Sequence, residues 1–132
     1  MLHIPRKPLK WVGSSKKDLD KMPEDVKDLF GFAIDLAQAG QKHSDAKPLK
    51  GFKSAGVLEV VENDEGGTYR AVYTVKLTDW VYVLHCFQKK SMKGIETPKA
   101  DIELIRARLK QAEADHAAWL AQLKEVKNDF RH

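Results

Sequence analysis

The chain has 132 residues, a formal net charge of +4, 42% hydrophobic residues and a single cysteine, Cys86. That length fits one domain that buries its own core, and one cysteine excludes an intrachain disulfide framework or a multi-cysteine zinc site. Prolines interrupt any signal-peptide core near the N-terminus, and no stretch approaches the roughly 20 apolar residues of a membrane span. We therefore expect a single cytoplasmic domain over residues 1–132 that does not associate with a membrane.

Two helices are predicted before the main strands. A further strand is predicted before them, near Leu9 to Val12, and Pro5 and Pro8 ahead of it indicate that it begins at an edge of the sheet. Ser14 and Ser15 favour a first helix from about Lys16 to Met22, which Pro23 ends. The segment EDVKDLFGFAIDLAQAG has apolar residues at helical spacing and acids in its first turn, so it predicts an amphipathic helix that stops at Gly40.

The middle of the chain changes from a helical to an alternating pattern. Residues 41–55 are polar and basic and predict a loop with a small apolar anchor, Leu49 and Phe52. The segments that follow are rich in β-branched and aromatic residues, with NDEGG and TD at turn positions. They predict an antiparallel meander of three strands, Val57–Val61, Thr68–Leu77 and Trp80–Phe87.

A long helix is predicted from Pro98 to about Val126, with acids in its first turn. Its apolar positions alternate steps of three and four residues, the spacing of a coiled-coil seam: Ile102, Ile105, Leu109, Ala112, His116, Trp119, Leu123 and Val126. The first half is expected to cover the sheet. Residues 113–132 form a predicted helical extension that needs a partner chain, a second copy or the first two helices to shelter Trp119 and Leu123.

Strand alternation predicts one charged and one apolar sheet face in an α+β fold. The charged face combines Glu59, Arg70, His85, Phe87 and Lys89. The apolar face, expected under the first two helices, combines Leu58, Val60, Tyr69, Ala71, Tyr73, Leu84 and Cys86.

The charged face has the residue types that cut RNA by internal transfer. That reaction needs a base for the 2′-hydroxyl, an acid for the 5′-oxygen, and cations for the phosphorane. Arg70 is expected to grip a phosphate, with Lys89 or Lys90 supplying charge or a proton, and all three are expected to be unpaired cations. His85 is a candidate base whose pKa the neighbouring lysines lower, and Glu59 is an alternative base.

Simpler interpretations remain for the same residues. The face is the solvated side of an antiparallel sheet, His85 is a packed histidine, and Glu59 pairs with Arg70 across strands. His116 on the helical seam is a packing or register residue, and metal binding there is remote because no second ligand stands nearby at a convincing spacing. No phosphate-loop, CxxC or serine-hydrolase motif is present, and no cofactor is expected.

Four segments in this order resemble the RelE/HigB toxin superfamily, particularly its phage-related HigB-like branch. They are PLKGF at 48–52, GVLEV at 56–60, TYRAVYTV at 68–75 and VLHCFQKKSMKGIETP at 83–98. The resemblance implies a RelE-like fold with a twisted antiparallel sheet of about four strands, two N-terminal helices and a long C-terminal helix. It implies a metal-independent, ribosome-dependent mRNA endoribonuclease, held inactive by a helix-turn-helix antitoxin.

By motif position, the resemblance assigns the strand arginine to Arg70, the closing basic residues to Lys89 and Lys90, and a phosphate contact to Lys50. The basic stretches around these motifs add Lys53 and Lys93 as expected RNA contacts. The RelE branch places a tyrosine near its C-terminal end, but in this chain no tyrosine follows Tyr82. The role of that C-terminal tyrosine therefore falls to another residue or is absent.

Two other functions fit the sequence. One is a non-catalytic, phage-related interaction module that assembles through the C-terminal helix, whose seam would dominate. The other is plain nucleic-acid binding, with affinity that falls steeply with salt and RNA that stays uncut.

Overall fold

The α+β architecture is confirmed in the computed structural model, which describes residues 6–52, 55–77, 79–89 and 97–130. Within these ranges, no helix has the length and apolarity that crossing a membrane requires. In chain order the elements are β1 (Leu9–Trp11), α1 (Ser15–Asp20), α2 (Glu24–Gln38), β2 (Lys47–Pro48), β3 (Val57–Asp64), β4 (Gly67–Thr74), β5 (Val81–Lys89) and α3 (Lys99–Phe130).

The strands form one mixed sheet of five strands in the order β1-β5-β4-β3-β2. The predicted meander β3-β4-β5 is antiparallel, and Glu65 and Gly66 form its first turn between the paired residues Asp64 and Gly67. The predicted edge strand is β1, which pairs in parallel with β5. The fifth strand, β2, was not predicted, because only two residues pair with β3.

Helices α1 and α2 cover one face of the sheet. Val26, Phe30 and Ile34 of α2 are buried there, as their helical spacing predicts. They join a core cluster that includes Val60, Ala71, Tyr73, Val83 and Cys86 from the strands. Complete burial also raises the pKa of Tyr73 to about 12, so its hydroxyl stays protonated.

The first part of α3 covers much of the opposite face. Ile105, Leu109 and Ala112 are buried in a second cluster with Val57, Val72, Tyr82 and Leu84, and the loop anchors Leu49 and Phe52 complete it. Placing Leu84 under α1 and α2 was therefore wrong. The register shifts between Val72, opposite His85, and Tyr73, opposite Val83, so Leu84 is the extra residue of a bulge.

Contacts with the body continue along α3 beyond Ala112. Asp115 accepts hydrogen bonds from Lys10 at 2.8 Å and from the Tyr82 hydroxyl at 2.7 Å. His116 Nε2 lies 2.9 Å from Asp79 Oδ2, so this side chain is a packing residue between α3 and the segment before β5. Trp119 packs edge-on against Trp80 of the same segment. Beyond Trp119, the described part of the helix exposes large apolar side chains, among them Leu120, Leu123 and Val126.

Two positions of α3 test this arrangement. Ile105→Ala removes a side chain that is fully buried between α3 and the sheet, and we expect the free energy of unfolding to fall by about 2 to 5 kcal/mol. Leu123→Ala, on the exposed part of the same helix, should change it by less than about 0.5 kcal/mol. Urea denaturation measures both, and equal losses would contradict the packing described.

Candidate functional site

The register of the meander brings the five residues of the predicted charged face to one side of the sheet. Arg70 pairs with Phe87, and Thr68 pairs with Lys89. Val72 pairs with both Glu59 of β3 and His85 of β5. Since paired residues of antiparallel strands project to the same side, the predicted grouping is confirmed. This is the face that α3 covers, so we call it the α3 face.

Arg70 and Glu59 form a buried ion pair at one end of the α3 face. Arg70 Nη1 lies 3.1 Å from Glu59 Oε2, with side-chain exposures of 5% and 15%. The Thr97 hydroxyl accepts a hydrogen bond from the same nitrogen and donates one to the same oxygen. The expectation that Arg70 presents an unpaired cation is therefore wrong, because its side chain is buried and a buried charge demands a counter-ion.

His85 is held by both ring nitrogens. Its Nε2 lies 2.8 Å from Asp101 Oδ1, and its Nδ1 lies 3.4 Å from Arg108 Nη1. The ring also stacks on Phe87, with centroids 4.4 Å apart. Asp101 and Arg108 both belong to α3, so the imidazole links that helix to β5.

Burial is the main cause that lowers the pKa of His85, and the Arg108 charge adds to it, whereas Asp101 opposes it. The direction agrees with the sequence-based expectation. The physical cause differs, because burial and an arginine from α3 act in place of the neighbouring lysines. The lowered pKa favours a neutral ring at neutral pH.

Arg108 is a buried cation that the sequence did not single out. Its Nη1 donates to the Leu84 carbonyl at 2.9 Å and its Nη2 donates to the Ser14 hydroxyl at 3.2 Å. The backbone at Gly13 has φ +58°, and a Cβ atom there would lie 2.8 Å from Arg108 Nε. A residue without a side chain at position 13 therefore leaves the space that the guanidinium fills.

The predicted lysines are in different surroundings. Lys89 is 6% exposed, so it is not the solvent-facing cation that the sequence suggested. Lys50 is exposed in the turn that follows β2. It lies three residues after Lys47, whose backbone pairs with that of Glu59 in the sheet. Lys53, Lys90 and Lys93 lie outside the described residues.

Sequence reasoning missed the contributions to this site of Thr97, just before α3, and of Asp101 and Arg108 on α3. A partial signal was available, since Asp101, Ile105 and Arg108 are spaced by four and three residues and so share one side of a helix. Ile105 faces the sheet, which places the two charged residues beside it toward the sheet as well. The partners that they meet there depend on where the helix lies.

A cleft of about 520 Å³ opens beside this site, with His85 and Phe87 of β5 and Asp18 and Lys21 at the end of α1 in its lining. Cys86 also contributes to the lining, but burial raises the pKa of its thiol to about 12. The thiol is therefore protonated at neutral pH and is not a nucleophile.

The α3 face contains two polar centres with different chemical capacities. In the Arg70–Glu59 centre, Glu59 Oε2 accepts hydrogen bonds from Arg70 and Thr97. The described part of the chain supplies no hydrogen-bond donor to Oε1. A carboxylate beside a guanidinium can accept a proton next to a bound anion. In the His85 centre both ring nitrogens are already engaged, which suits holding structure in place.

Comparison with known proteins gives a match to a family model and similarities to solved structures. Residues 17–110 match the family model "Phage derived protein Gp49-like (DUF891)", from α1 through the first third of α3. Solved structures that match include the toxin–antitoxin complex RelBE2 from Mycobacterium tuberculosis, at 16% identity and a TM-score of 0.45, covering 67% of this chain and 98% of that one. No curated protein matches significantly.

The lowered pKa of His85 predicts how stability depends on pH. As pH falls, the unfolded chain takes up the proton first, so stability is complete above the unfolded pKa of about 6.5 and declines below it. We expect His85→Gln to lose this decline. The difference in unfolding free energy between wild type and variant should shrink between about pH 7.5 and 5, measured by urea denaturation. A difference independent of pH would contradict a neutral, buried His85.

Proposed function

The chain belongs to the phage-derived Gp49-like family, which is a family of RelE/HigB-type toxins, and from this premise we propose that it is a ribosome-dependent mRNA endoribonuclease. The enzyme acts without a metal, inhibits translation and is held inactive by a helix-turn-helix antitoxin. It acts in the cytoplasm, where mRNA and ribosomes are found.

The observation that carries this proposal is the geometry of Glu59. Arg70 and Thr97 both bind Oε2, at 3.1 Å and 3.0 Å, and so fix the orientation of the carboxylate. Glu59 is also the more exposed member of its ion pair. An ionised carboxylate held in this way is placed to take a proton from a hydroxyl whose neighbouring phosphate lies on Arg70.

The proposed reaction is internal phosphoryl transfer. Glu59 takes the proton of a ribose 2′-hydroxyl, and the 2′-oxygen attacks the adjacent phosphorus while Arg70 stabilises the charge that develops on the phosphorane. The bond to the 5′-oxygen breaks, and that oxygen receives a proton from Lys89. The products carry a 2′,3′-cyclic phosphate and a 5′-hydroxyl.

Glu59 is preferred to His85 as the base because of their hydrogen bonds. Each ring nitrogen of His85 has a partner on α3, whereas one oxygen of Glu59 has no described donor. His85 remains close to the site through its stacking on Phe87, the strand neighbour of Arg70. Lys50, Lys53, Lys90 and Lys93 remain proposed cationic contacts to RNA.

Separate substitutions of Glu59 and Arg70 test this assignment. We expect Glu59→Gln to keep RNA binding and to slow cleavage of ribosome-bound mRNA by about 100-fold or more, since the amide accepts no proton. Arg70→Lys keeps a charge beside Glu59 but loses the planar fork, so both binding and cleavage should weaken. Cleavage is measured by primer extension, and growth arrest on expression without an antitoxin gives a second readout.

Arg106→Gln is the matched control, because Arg106 is an exposed arginine of α3 whose guanidinium lies over the Phe52 ring. Circular dichroism verifies that each variant is folded. If folded wild-type protein neither arrests growth nor cuts ribosome-bound mRNA, the enzyme assignment is lost. If Glu59→Gln cuts at the wild-type rate, Glu59 is not the base.

The exposed end of α3 favours a second candidate, a non-catalytic interaction module. Leu120, Leu123 and Val126 lie beyond the last described contact with the body and leave apolar surface in solvent. If this module is the function, Leu123→Glu should abolish both complex formation and phenotype, while Arg70→Lys leaves both intact. Co-purification and growth assays distinguish the two candidates, and the reverse pattern rejects the module.

A further inference from the structure

We propose that Arg108 is a positioning residue for the Glu59–Arg70 site, acting by fixing His85 in one tautomer that in turn holds the start of α3. The catalytic role of the contact between Arg108 and His85 rests on the proposed function, whereas the arrangement of the imidazole ring does not. Four steps support this role. They begin at Arg108 and end at the Glu59 carboxylate.

The first step is the anchoring of Arg108 itself. Its two terminal nitrogens donate to the Leu84 carbonyl and the Ser14 hydroxyl, and Ser14 donates in turn to Asp18 at 2.6 Å. Leu84 is the extra residue of the β5 bulge. A buried guanidinium with fixed partners on two other elements has little freedom to move.

The second step is the choice of tautomer. A guanidinium has only donors, so His85 Nδ1 must accept from Arg108 with its lone pair. An ionised carboxylate has only acceptors, so Nε2 must donate its hydrogen to Asp101. These two partners from α3 therefore select the neutral ring with its proton on Nε2.

The third step runs from His85 to the start of α3. Asp101 lies in the first turn of α3, four residues after Thr97. The bond from His85 at 2.8 Å holds that turn against β5. The final step is the Thr97 hydroxyl, which donates to Glu59 Oε2 at 3.0 Å and orients the proposed base.

The charged groups that act on the ring set the expected response to pH. They are Asp101 and Arg108 from α3 and Asp18 from α1. Arg108 lowers the pKa of His85, whereas both carboxylates raise it. Protonation at Nδ1 would place a hydrogen and a positive charge against Arg108, which breaks the second step. Removing Arg108 should therefore let the ring protonate at higher pH.

The experiment uses full-length protein labelled with ¹⁵N, in the wild-type form and with Arg108→Gln. Ring nitrogen resonances of His85, assigned by their loss in His85→Gln, report both the tautomer and the titration. We expect a single Nε2-protonated tautomer in the wild type. Arg108→Gln should show mixed tautomers and a titration moved to higher pH.

Activity is measured on the same proteins. Arg108→Gln should cut ribosome-bound mRNA at least about tenfold more slowly, as expected for a displaced base, with the acid limb of its pH–rate profile moved to higher pH. Arg106→Gln removes the same charge from an exposed position of α3 and should match the wild type in every readout. A loss that came only from destabilisation would not move the tautomer or the pH profile.

Each outcome is decisive. The inference is overturned if the ring keeps its tautomer and titration in Arg108→Gln, or if they change while cleavage keeps its rate and pH profile. Wild-type protein that cuts no RNA overturns the proposed function and the catalytic role of Arg108 with it. If Arg108→Gln does not fold, Ser14→Ala is used instead, because it removes one acceptor of Arg108. The same shifts are expected at smaller size, and the absence of any shift would overturn the inference.

Discussion

The buried ion pair between Arg70 and Glu59 is the interaction on which the polar half of the α3 face depends. A guanidinium in the middle of a central strand, with only 5% of its side chain exposed, is tolerated only with a nearby counter-ion and satisfied hydrogen bonds. Glu59 of β3 supplies the counter-ion, and both Glu59 and the Thr97 hydroxyl accept hydrogen bonds from Nη1 of the arginine. The segment just before α3 is therefore tied to the sheet by the same contacts that neutralise the arginine.

Helix α3 covers one sheet face with two different kinds of surface. Its first part packs aliphatic side chains such as Ile105 and Leu109 against Val72 and Leu84. Its first three turns also bring polar groups to the sheet, where Asp101 and Arg108 hold His85. One helix thus closes a hydrophobic core and a hydrogen-bonded network side by side, which limits how far either can change independently.

The same burial gives the proposed site its chemical character. Charges shielded from water interact more strongly than they do on an open surface, and fixed partners need little rearrangement when charge develops. An open basic surface, as the sequence suggested, would bind RNA chiefly through charge. The ion pair and the neutral imidazole instead form a smaller, oriented site in which one carboxylate is specifically placed.

The sequence by itself determined the α+β class, both N-terminal helices, the three meander strands and the set of residues on the charged face. These follow from local periods, since a strand alternates every second residue and a helix repeats every 3.6. Only the tertiary structure decided the β5 bulge that moved Leu84, and it decided between the two sequence-based interpretations of Arg70, an unpaired cation or a cross-strand partner of Glu59, in favour of the pair. It also decided the arrival of Thr97, 38 residues after Glu59, at the same carboxylate. Such pairings depend on strand register and on where α3 packs, and neither is encoded in the local pattern of any one segment.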